Sequence, residues 1–132
     1  MKRAKPAFER VRKLCLSLPD TSEKLSHGEL TFFVRKRVFV MFSTNHHGDD
    51  NYAIVCNAPE GAQEILTTND PDNFYVPPYV GGGGWIGVRL DRGIAWPVVT
   101  SVVKDAYNVT LAKQRRPRAP ASARTRSART RA

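Results

Sequence analysis

The stretch GELTFFVRKRVFVMFS, Gly28 to Ser43, sets two apolar runs, Leu30 to Val34 and Val38 to Phe42, on either side of Arg35-Lys36-Arg37. Both runs are rich in β-branched and aromatic residues, which suit a pleated, half-buried surface. Three adjacent cations belong in a solvated turn rather than in a core. The stretch therefore predicts an antiparallel hairpin with a cationic tip.

Toward the N-terminus, Phe8, Val11, Leu14, Cys15 and Leu18 recur at helical spacing between Pro6 and Pro19. This pattern predicts an amphipathic helix over residues 7–18, with Arg10, Arg12 and Lys13 on its outer face. Toward the C-terminus, the polar loop STNHHGDDN leads to a third strand, Tyr52 to Cys56. Asn57-Ala58-Pro59-Glu60 then resembles the capping-box start of a short helix reaching about Thr68. NDPDN ends that helix, Phe74 to Val76 and Trp85 to Leu90 read as two more strands, and Trp96-Pro97 opens a last helix. Val99, Val102, Val103, Ala106 and Val109 mark its buried face. The order α-β-β-β-α-β-β-α predicts an α+β fold, an antiparallel sheet with helices packed on one face.

At 132 residues the chain has room for one core. Its formal charge of +9 is divided sharply along its length. Residues 1–13 carry six basic residues against Glu9, and residues 113–132 carry eight and no acid. The 14–112 stretch holds seven basic and eleven acidic residues, so the positive charge sits at the two ends. Residues 113–132 also lack any aromatic, or any aliphatic larger than alanine, and cannot bury enough surface to offset their ordering entropy. The expected organisation is a domain over 1–112 and a disordered basic tail over 113–132. Clustered arginine spaced by Ser, Thr and Ala suits an arm that follows phosphates without reading bases.

No apolar run reaches transmembrane length, and the basic start is followed by no signal-like apolar region. A cytosolic protein with no membrane partner is expected, with Cys15 and Cys56 as two buried, reduced thiols.

The glycine run in PPYVGGGGWIGVRLD, Pro77 to Asp91, raises the question of a phosphate cradle. Such a cradle needs a helix to open at the glycines, so that free N–H groups and the helix dipole meet the anion. Here an apolar, β-branched run follows Gly84 and no Gly-Lys-Ser/Thr closes the loop, which reads instead as a turn needing positive φ. His46-His47-Gly48-Asp49-Asp50 has metal-ligand residue types without the spacing that fixes a coordination geometry, so it reads as a solvated turn and no metal or cofactor is expected. His27 has no serine or cysteine fixed beside it and reads as a strand-edge residue. Trp85 and Trp96 suit packing at the sheet end better than base stacking. No catalytic constellation emerges.

The blocks LSHGELTFFVRKRVFVMFS, PPYVGGGGWIGVRLD and KDAYNVTLAK together resemble the MmcQ/YjbR family of small bacterial proteins, over most of residues 7–113. The resemblance implies a compact CyaY-like domain, no catalytic activity, and DNA binding through a double-wing motif. The chain departs from that pattern at Lys36 and Arg37, where glycine then lysine is frequent, and at Leu30, where proline is. Gly82 and Gly83 stand where larger, often basic residues precede the tryptophan, and the tail from Arg115 onward lies outside the resemblance.

The function expected from the sequence is non-enzymatic binding of nucleic acid, DNA with RNA left open, by a monomer and largely through electrostatics. Arg35, Lys36 and Arg37 would form a wing. Arg10, Arg12 and Lys13, with Arg115, Arg116, Arg118, Arg124, Arg126, Arg129 and Arg131, would hold the backbone. The alternative is a protein-interaction or small-ligand module using the open sheet face, with the tail serving solubility or an acidic partner.

Overall fold

The computed structural model describes residues 4–44, 52–78 and 80–115. It opens with α1 (Ala4–Ser17), whose Phe8, Val11 and Cys15 are buried while Leu14 and Leu18 pack at the edge of the core. A turn through Asp20, at φ 64, then feeds β1 (Thr21–Ser26).

This strand corrects the sequence expectation, which began the sheet at the next one. TSEKLS contains a single aliphatic residue, Leu25, and that side chain is 69% exposed. Composition therefore gives no apolar run. It is an edge strand, where charged side chains deter pairing with another chain. β1 pairs antiparallel with β2 (Glu29–Val34) through a two-residue turn, His27 at φ 55 and Gly28 at φ 82. Two successive positive φ values define the type I′ turn that matches the twist of paired strands. His27 is thus a turn residue, not a strand-edge one.

β2 pairs with β3 (Arg37–Thr44), with a bulge between Phe32 and Phe33, and β3 pairs with β4 (Tyr52–Cys56). After α2 (Ala62–Asn69) come the two-residue β5 (Phe74–Tyr75) and then β6 (Ile86–Arg89), which inserts between β4 and β5. The sheet is antiparallel throughout, in the order β1-β2-β3-β4-β6-β5. Helix α3 (Trp96–Arg115) closes the described chain.

Cross-strand neighbours share a face. The rows Phe32-Val40-Cys56-Ile86 and Phe42-Ile54-Val88-Phe74 run across the strands, and both join the helices in one core. Phe42 stacks between Phe8 and Phe32, at centroid distances of 4.6 and 5.3 Å. Val99, Val102, Val103 and Ala106 of α3 are buried as their spacing predicts, and Tyr107 and Thr110 extend that face where Val109 is only half-buried.

The capping box expected at Asn57 does not form. The N-cap of α2 is Gly61, at φ 85 and without a side-chain bond. Asn57 follows β4 and is buried, and its Nδ2 donates to Thr110 Oγ1 at 2.9 Å while its Oδ1 accepts from the Ala58 N–H. Its side chain fastens the sheet to α3 instead of opening α2.

The glycine run forms a single 3-10 turn, Gly81–Gly83, with Gly84 at φ 87, and it delivers the chain to a strand. Gln63 of α2 holds the turn by donating from Nε2 to the carbonyls of Gly81 and Trp85, both at 2.7 Å. Among the described residues, no helix is long and apolar enough to cross a membrane.

Candidate nucleic-acid interface

The β2–β3 turn consists of Arg35 and Lys36, flanked by the Val34–Arg37 pair, so Arg37 is the first residue of β3. Arg35 adopts φ 57, a conformation that costs a residue with a Cβ unless neighbours hold it. Asp20 supplies the hold. The Arg35 N–H donates to the Asp20 carbonyl at 2.8 Å, and Arg35 Nε lies 3.4 Å from the Asp20 carboxylate. The turn is braced, and the Arg35 charge is partly countered.

Lys36 and Arg37 are exposed, and no carboxylate lies within ion-pair distance of either among the described residues.

The end of α3 is fastened to the same end of the sheet. Gln114 Nε2 donates to the Val34 carbonyl at 2.9 Å, one residue from the tip, and the Tyr107 hydroxyl donates to the Pro19 carbonyl at 2.8 Å. Lys113, exposed, and Arg115 flank Gln114 in the sequence, and α3 passes the expected domain boundary at 112 and ends at Arg115, near the β2–β3 turn. Arg116, Arg118, Arg124, Arg126, Arg129 and Arg131 lie outside the described residues, as does the His46 to Asp50 loop.

The first-helix cations have different fates. Arg12 forms a two-pronged pair with Glu23 of β1, Nε to Oε1 and Nη2 to Oε2, both at 2.7 Å. The hydrogen bonds, then the Coulomb attraction, raise the pKa of Arg12 and lower that of Glu23. This planar geometry satisfies the fork of the guanidinium and joins α1 to the sheet edge. Arg12 is exposed, as the sequence predicts for an outward cation, and its charge is countered by Glu23 of the same domain. Arg10 lies over the Trp96 ring, 4.1 Å from its centroid, and Lys13 is exposed one turn further on. Both tryptophans are half-buried.

On the face away from the helices, Tyr75 lies across Gly87, its direct cross-strand partner. A Cβ at Gly87 would fall within the Tyr75 ring, so only glycine permits this approach. The Arg89 guanidinium covers the ring at 4.5 Å. Two shallow surface grooves lie on the helical side instead, one lined by Phe8, Arg12, Leu30 and Phe42, the other between α2 and α3.

Burial pushes the Cys15 thiol up to about 12 and raises that of Cys56 as well. Both cysteines are free and buried, which leaves neither as an exposed thiolate nucleophile. No group of three or more His, Cys, Asp or Glu among the described residues could hold a metal ion.

Sequence reasoning missed Gln114, Asp20 and Glu23, the residues that position the cations. A lone Gln in a basic run carries no signal of its own.

The YjbR family model matches residues 16–109, and the chain belongs to that family. The Deinococcus radiodurans protein DR2400, whose domain is described as DUF419, has a similar crystal structure, with a TM-score of 0.69 at 17% identity. The match covers 81% of this chain and 80% of that one, and it establishes the α+β fold. No match was found among curated proteins.

Proposed function

We propose that this YjbR-family chain is a non-enzymatic nucleic-acid-binding protein, acting in the cytoplasm, with duplex DNA as its partner. Lys36 and Arg37 on the braced hairpin make one contact, and the arginine-rich segment leaving α3 makes the other. The observation that carries this reading is the Gln114–Val34 bond, because it fastens the end of α3, from which the basic segment continues, next to the Arg35-Lys36-Arg37 run. Two cationic elements converging on one end of a domain can neutralise neighbouring phosphates together, and the counterions released there supply sequence-independent affinity. Arg12 takes no part in this contact. The same chemistry would also serve RNA.

The test is salt-dependent binding to a short duplex by the full chain and by a chain ending at Arg115. The full chain should bind with a log–log slope of about −0.9 per phosphate contact and vary little with sequence. Truncation should weaken binding and flatten the slope. Failure of the full chain to bind duplex or single-stranded RNA at low salt would refute the reading.

A further inference from the structure

The charge division has a second side. Between Arg37 and Arg89 the sequence contains no lysine or arginine, yet it contains Glu60, Glu64, Asp70 and Asp72, which bracket and include α2. Beside α2 runs a groove of about 450 Å³ lined by Ala62, Ile65 and Leu66 from that helix and by Val98, Ser101 and Asp105 from α3. Ile65 is 60% exposed and Val98 40% exposed. Asp105 and Glu64 are also exposed, and neither has a cation within ion-pair distance among the described residues. An apolar floor lined by the Asp105 carboxylate, with Glu64 next to Ile65 on α2, suits a side chain with an aliphatic stem and a cationic head, and that describes arginine.

We propose that this α2–α3 groove is the docking surface for the chain's own segment 116–132, which occupies it when no nucleic acid is bound. Reach permits it. Along α3 the groove at Val98 lies about 25 Å back from Arg115 at 1.5 Å per residue. The segment spans up to about 55 Å when extended. It carries six arginines and no acid. Their stems cover Ile65 and Val98 while their guanidinium groups meet Asp105 and Glu64. Each such pair is weak and screened by salt, so the docked form exchanges rapidly and yields to a polyanion. The consequence, which rests on the function proposed above, is a self-masked arm: a ligand meets only the fraction of molecules whose arm is free.

A direct test uses no nucleic acid, so it stands or falls separately from that function. A nitroxide attached at Ala132→Cys reports proximity, since both native cysteines are buried and escape labelling. At about 20 mM salt the methyl signals of Ile65 and Val98 should broaden, and at about 500 mM, where the Debye length falls to a few Å, they should recover. No broadening at low salt overturns the proposal. Equal broadening when spin-labelled chain is mixed with a separate isotope-labelled chain also overturns it, because the occupant is then a second copy. A functional arm compares Glu64→Gln/Asp105→Asn with the parent, in the full chain and in the chain ending at Arg115. Unmasking should raise duplex affinity about two- to tenfold more in the full chain than in the truncated one. An equal gain in both is a plain charge effect and overturns the masking consequence.

Discussion

If geometry rather than net charge sets the interface, cations of the same type should differ in what they contribute. Replacing Lys36 and Arg37 together by alanine provides the comparison. Both side chains are exposed, and the Val34–Arg37 backbone pairing does not depend on them, so stability should move by no more than about 0.5 kcal/mol. Each lost phosphate contact should flatten the log–log salt slope by about 0.9, or about 1.8 for the pair. Over a fourfold rise in salt, the parent should then lose about twelve times more affinity than the variant. Fluorescence anisotropy of a labelled duplex across that range measures it. Arg12→Ala is the control: its guanidinium already holds Glu23 with two 2.7 Å bonds, so the slope should stay as in the parent. A slope change from Arg12→Ala half as large as that from the tip pair would mean that total charge alone matters, and the reasoning would fail.

Gly87→Ala should cost about 1–3 kcal/mol, since the new methyl would displace the Tyr75 ring, and adding Tyr75→Ala should recover part of the loss; chemical denaturation of the three variants would show it. Gln114→Ala should cost about 0.5–1.5 kcal/mol through the lost bond to Val34, and amide exchange at the last turn of α3 should rise. The two thiols predict an alkaline loss of stability. Their folded-state pKa values lie above the ordinary 9.0, so above that pH the unfolded chain has released protons that the folded chain retains. This contribution is intact below pH 9 and declines as pH rises toward about 12, where Cys15 titrates. Cys15→Ala/Cys56→Ala should flatten the decline in urea midpoints.

The elements that the sequence made legible were those with apolar periodicity. Tyr52 to Cys56 matches β4 residue for residue, and the spacing of Phe8, Val11 and Cys15 gave α1, because burying those side chains is what makes the elements form. β1 stayed hidden for the converse reason. Its pairing comes from backbone hydrogen bonds at an edge, and TSEKLS buries too little for a pattern to arise. One local clue was present. His27-Gly28 has the turn chemistry that joins two strands across two residues, and strand assignment there needed only the residues before it. The misassigned cap at Asn57 has the opposite cause. The local motif was genuine, but a partner 53 residues away, Thr110, claimed the side chain.

The same distinction separates the candidate site from its residue list. Arg12, Arg35 and Arg37 are one residue type, yet Glu23 binds the first, Asp20 braces the second, and the third has no carboxylate within reach among the described residues. Glu23 and Asp20 lie 11 and 15 residues from the cations they hold, so no window of sequence reveals the pairing. Counting charge gives the sign of the interface. Only the fold tells which cations remain available to a ligand, and it does so through the acids that engage the others. An arginine whose charge is already countered by a carboxylate gains less from a phosphate than Lys36 and Arg37, which give up only hydration. Lys36 and Arg37, exposed and without a carboxylate within ion-pair distance among the described residues, thus stand at the hairpin tip, near the end of α3.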